Sequence, residues 1–113
     1  MVVFNHEKLD VYRAALEYVA YVHRLAKRLT GHHRHARDQL LRAAQSIVLN
    51  IAEGNGKTGE ADRRRYFDIA CGSALECAAT QDVLEVSGAL TAEENQEPKQ
   101  LLHRIASMLY KMH

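Results

Sequence analysis

Apolar residues recur along this chain at alternating steps of three and four in four separate runs, each bounded by glycine or polar turn residues. That spacing is the mark of amphipathic helices. The first run, Leu9, Tyr12, Leu16, Val19, His23 and Ala26, predicts a helix over roughly residues 6–29, N-capped by Asn5 and ended by Thr30-Gly31. In the second, Leu40, Ala44, Ile47 and Ile51 form one stripe with Leu41, Val48 and Ala52 beside it. It predicts a helix over 35–54 that Gly54 closes. The third, over 59–87, has Phe67, Ala70, Ala74, Cys77, Gln81 and Leu84 as its main stripe, with Glu60 and Asp62 facing the positive end of the helix dipole. Gly72 and Ser73 are small residues expected to let a neighbouring helix approach. The fourth, over 92–112, opens on Thr91-Ala92-Glu93-Glu94, which reads as a capping box. Its packed face is Leu101, Leu102, Ile105, Met108, Leu109 and Met112. Pro98 falls inside it and predicts a kink, or a short turn followed by a restart.

Four helices with short links predict an all-α, antiparallel up-down-up-down four-helix bundle spanning 1–113 as a single domain. The first and third links then lie at the same end. A length of 113 residues suits one core, and a single proline with six glycines leaves helix-forming composition largely uninterrupted. No apolar run approaches the roughly 20 residues that span a bilayer, so the expectation is a soluble, cytoplasmic protein with no membrane partner. Cys71 and Cys77, six apart on one helix, point in different directions and read as small buried apolar groups in a reducing compartment.

Net charge is only +1, but its distribution is uneven. From His23 to Arg42, six basic residues meet only Asp38, whereas from Glu76 to Glu97 six acids meet no Lys or Arg. Segregation of this kind suits head-to-tail contacts between copies. On the second helix Gln39, Arg42, Ser46, Asn50 and Glu53 fall within roughly 80° of one another, beside the apolar face. With Ser73 and Glu76 of the third helix they are expected to form a structural polar seam, in which Arg42 pairs with Glu76.

The stretch Gln39 to Lys57, followed by Phe67 to Glu76, resembles the four-helix-bundle family of 23S rRNA intervening-sequence proteins. The likeness rests on Gln39, Arg42, Ala43, Ser46, Ile47, Asn50, Ile51, Ala52, Glu53 and Gly54, then on Ala70, Gly72, Ser73 and Glu76. The opening Leu9 to Ala15 also looks like the family's start. The accessory protein of diversity-generating retroelements shares this bundle. The resemblance implies a homopentameric ring, with RNA or DNA, or a reverse transcriptase, as partner. Two departures stand out: Val48 replaces a frequent proline, and Thr30-Gly31-His32-His33 replaces the usual Phe-Pro.

No residue constellation points to catalysis. Inward di-iron sites need Glu-x-x-His motifs, and none occurs. Gly56-Lys57-Thr58 looks like the end of a phosphate-binding loop, but Ile51 stands where the first glycine belongs and a helix precedes it. His32, His33 and His35 read as a solvated link, since no Cys pair or acidic partner accompanies them; no metal or other cofactor is expected. Two basic groups, Lys27, Arg28, Arg34 and Arg37 at the first link and Lys57, Arg63, Arg64 and Arg65 at the second, are candidate phosphate contacts. The sequence thus reads as a non-enzymatic oligomeric interaction module associating with nucleic acid or a ribonucleoprotein. The alternative is a protein-binding scaffold with no nucleic-acid affinity.

Overall fold

The composition is expressed as four α-helices: α1 (Asp10–Ala26), α2 (Arg34–Gly56), α3 (Glu60–Val86) and α4 (Ala92–Lys111). The computed structural model describes residues 1–112, and no strand occurs among them; His113, the last residue of the expected domain, lies outside the described residues. Each helix packs on its neighbours in the order α1, α2, α3, α4 and back to α1, with the most extensive contact between α2 and α3. The result is the antiparallel up-down-up-down four-helix bundle. Its core is filled by Tyr18, Phe67, Ile47, Ile51, Leu84 and Ile105, all essentially inaccessible to water.

The first helix departs from expectation in two ways. Residues Asn5–Lys8 form a separate 3-10 turn, and Leu9 is extended (φ −78°, ψ 131°), so α1 begins only at Asp10 and Asn5 is not its cap. The buried face is also rotated by about one residue. Val11, Ala14, Ala15, Tyr18, Val22 and Leu25 are buried, while Leu16 is 44% exposed. Two overlapping stripes compete on this helix, and the one that wins lacks His23, whose polar ring would lose hydration in the core.

The α2 helix runs through Gly54 to Gly56 instead of stopping at Gly54. Gly54 does not adopt positive φ. Its value is space: a Cβ there would stand 2.8 Å from Phe67 Cε1 and 2.9 Å from Cδ1. At Gly72 the expectation of close approach fails within the subunit, since a Cβ would meet nothing within 4 Å. The fourth helix is a single element with Pro98 inside it, so no restart occurs there. Its first turn is fixed upstream by the Thr91–Glu94 capping box, and its later turns by the buried Leu102, Ile105 and Leu109.

Left-handed backbone is required at Gly31 (φ 60°) and Gly88 (φ 86°), in the first and third links. Both links lie at one end of the bundle, where Arg28 Nη2 donates to Ala89 O at 3.1 Å. The second link and the N-terminal turn lie at the other end, about 30 Å away along the 23-residue α2.

Candidate functional site

The two basic groups therefore occupy opposite ends of the subunit and cannot act as one patch. At the first end most cations already have work within the fold. Arg28 Nη1 donates to Glu94 Oε2 at 2.7 Å and Nη2 to Oε1 at 3.3 Å. The Arg28 guanidinium, with the Thr91 backbone N–H that Glu94 also accepts, holds the Glu94 carboxyl far below its ordinary value, at about 2. Arg34 Nε donates to Gly31 O at 3.1 Å, although Arg34 belongs to α2 and not to the link. Arg37 donates to Asp38 Oδ1 at 3.0 Å and reaches Leu29 O at 3.5 Å. Of the four, only Lys27 is exposed and unengaged.

At the second end the cations gather around an aromatic ring. Lys57 Nζ stands 5.2 Å and Arg65 Cζ 5.6 Å from the centroid of Tyr66, distances at which a cation is attracted by the ring's π face. Lys57 also lies 3.7 Å from Glu53, a loose ion pair one helical turn back. Arg64 is exposed and unengaged. Arg63 differs from these: it lies over Phe67 at 5.3 Å, and its Nη1 donates to Asn55 O at 3.2 Å and Gly54 O at 3.5 Å. It thereby satisfies carbonyls that the end of α2 leaves open, which makes it a cap rather than a free cation.

The polar stripe splits in the same manner. Ser73 Oγ donates to Ser46 Oγ at 2.8 Å, and Asn50 Nδ2 donates to Ser46 Oγ at 3.0 Å and Ser46 O at 2.8 Å. Of the three, only the Ser73–Ser46 bond joins α2 to α3; the two from Asn50 stay within α2 and hold Ser46 in place. Arg42 and Glu76 do face each other, but at 3.9 Å with side chains 77% and 46% exposed. Such a pair contributes at most a few tenths of a kcal/mol. Glu53 turns to Lys57, and Gln39 is exposed without a hydrogen bond.

A polar chain inside the core was not anticipated. Tyr18 of α1 donates its hydroxyl to Gln81 Oε1 of α3; Gln81 Nε2 donates to Asn95 Oδ1 of α4 at 2.8 Å; Asn95 Nδ2 donates to Asp82 Oδ1 and Glu85 Oε1, each at 3.0 Å. Gln81 is 0% and Asn95 1% exposed. The available signal was Gln81 itself, a polar residue on an otherwise apolar stripe. Burial pushes the Tyr18 hydroxyl far up and the neighbouring Cys77 thiol up to about 12. The half-buried Cys71 thiol is raised too, again by burial. Both cysteines are free thiols, and neither is activated as a nucleophile at neutral pH.

Between α1 and α4 runs an open groove of about 630 Å³, lined among others by Glu17, Tyr21, Arg24, Glu97, Leu101 and Arg104. Its charges alternate in sign and do not converge on a point. The Tyr21 hydroxyl is enclosed and without a hydrogen-bond partner. Among the described residues no three His, Cys, Asp or Glu side chains are grouped as metal ligands, and His32 and His33 pack ring to ring at 4.1 Å. No described helix is long and apolar enough to cross a membrane.

The family model for 23S rRNA-intervening sequence protein matches residues 7–111. Among solved structures, one from Bacteroides thetaiotaomicron, a protein with unknown function from the S23 ribosomal protein family, superposes with a TM-score of 0.84 at 24% identity. The match covers 90% of this chain and 93% of that one, and at this identity it shows the fold alone. No curated protein matches the chain.

Proposed function

Starting from the chain's membership of the 23S rRNA-intervening sequence protein family, to which it belongs over 7–111, we propose that it is a non-enzymatic, self-associating module that binds single-stranded nucleic acid, free or within a ribonucleoprotein. The observation that carries this reading is the cluster at the second link, where Lys57 and Arg65 lie over Tyr66 and Arg64, next to Arg65 in sequence, is exposed. Cations attract phosphates, and an aromatic ring offers a face on which an unpaired base stacks. One such cluster on a chain of net charge +1 is a weak site. Self-association repeats it at one end of an assembly, five times in the ring that the family resemblance implies, and repetition raises the effective concentration for every contact after the first.

The test is fluorescence anisotropy with a labelled single-stranded RNA over a series of salt concentrations. Binding should be tightest near about 50 mM salt and weaken steeply as salt rises. Replacing Lys57, Arg64 and Arg65 by alanine should reduce affinity at least tenfold and flatten the salt dependence, whereas Lys27→Ala at the other end should not. Arg63 is left in place because it caps α2. An absence of binding at low salt, or binding indifferent to the triple substitution, replaces this reading with that of a protein-binding scaffold, which the near-neutral net charge favours.

A further inference from the structure

A helix at the outside of a bundle ordinarily carries one apolar face, and α3 carries two. Its core face is buried. On the opposite side Ile69, Gly72, Glu76, Ala79, Val83 and Val86 follow one another at alternating steps of three and four, the repeat of a seam between paired helices. Ile69, Val83 and Val86 are 41%, 60% and 89% exposed, and Leu75 beside them is 62% exposed. Together they leave on the order of 400 Å² of apolar surface in water, the size of the largest patch on a typical monomer. Within this seam Gly72 is a notch with nothing above it.

What fills the notch is indicated by α2. Its outward side carries Leu49, 62% exposed. Within one subunit Ser46 meets Ser73 and Arg42 meets Glu76, so Leu49, three residues further along the antiparallel α2, stands level with Ile69 and Ala70, less than one turn from Gly72. Rotation about an axis parallel to the bundle keeps every residue at its own height. We propose that a second copy of this chain lays the outward side of its α2 along the α3 seam, with its Leu49 seated at Gly72.

The charges agree with that register. Arg42, in the basic first half of α2, lies level with Glu76 on the α3 seam, while Glu53 lies level with Arg65. Opposite signs therefore meet at both of these heights. Pairing α3 with α3 about a two-fold axis would instead bring two Glu76 side chains together near the middle of the seam. Because each copy uses a different surface, the contact is head-to-tail, the kind from which rings are built. It rests on the self-association reading above and specifies its surface.

The experiment is mass determination by light scattering after size exclusion at micromolar concentration. Wild-type protein should be oligomeric, and Gly72→Leu and Leu49→Glu should each run as a monomer with an unchanged far-UV circular dichroism spectrum. Mixed in equal amounts, the two variants should form a 1:1 dimer and nothing larger, since each retains the surface the other has lost. Val83→Arg, at another exposed seam position, should also be monomeric and stands in if Gly72→Leu loses its helical signal. Either variant keeping the wild-type mass, or a mixture that stays monomeric, overturns the placement alone. Wild-type protein that is itself monomeric overturns self-association, and this contact with it.

Discussion

Replacing Gly54 by alanine separates two explanations of that glycine. If it were merely tolerated in the helix, where it does not adopt positive φ, alanine would stabilise by about 0.5–1 kcal/mol, the usual gain of helix propensity. The structure predicts the opposite sign. The new methyl group would stand 2.8 Å and 2.9 Å from two ring atoms of Phe67 and 3.1 Å from Tyr66 Cβ. That ring is 0% exposed and has Arg63 stacked on it, so it has nowhere to move without disturbing the core. Overpacking a core position costs about 1–3 kcal/mol, and after subtracting the propensity gain a net loss of about 1–2 kcal/mol remains. For a chain of this size it should appear as a fall in Tm of roughly 4–8 °C. Gly72→Ala in the Leu49→Glu background, in which the proposed contact is absent, is the control, because a Cβ there meets nothing within 4 Å of its own subunit; it should show the propensity gain. Urea and thermal denaturation at two protein concentrations separate subunit stability from any contribution of assembly. Gly54→Ala as stable as wild type, or more so, would refute the packing argument.

Two further outcomes follow from polar contacts. Glu94 is easier to ionise in the folded chain than in the unfolded one, so its bond to Arg28 contributes fully above the ordinary value of 4.5 and is lost as pH falls toward about 2. Thermal unfolding between pH 5 and about 2 should therefore be less steeply pH-dependent in Glu94→Gln than in wild type. Asn95→Ala removes the acceptor of the buried Gln81 amide, and should destabilise by about 1–3 kcal/mol in urea titration, the cost of leaving one buried donor unsatisfied.

The sequence foretold most of this bundle because its signals were redundant. On α3 every residue of the expected stripe is buried, and the Thr91–Glu94 capping box forms as read. Periodicity misled on α1, where two stripes of nearly equal hydrophobicity overlap and the choice depends on which side chains the other helices can accommodate. Glycine misled at position 54 because a residue without a side chain serves both a turn and a crowded neighbour, and only the position of Phe67 separates the two. Of the candidate contacts, the nearness of Lys57 and Arg65 to Tyr66 was visible in one dimension. The commitment of Arg28, Arg37 and Arg63 to internal bonds was not, since their partners are backbone carbonyls and acids that the fold brings near.

The chain from Tyr18 through Gln81 to Asn95 has a consequence for topology. Four helices of similar length can be threaded around a core clockwise or anticlockwise, and greasy side chains interlock acceptably in both. Donors and acceptors do not tolerate such an exchange. In the opposite winding, or after a slip of one turn along any of α1, α3 or α4, a hydroxyl and two amides would be sealed from water with no counterpart. An all-apolar core could be as stable, but it would leave the chain a choice of windings, and these three residues remove it.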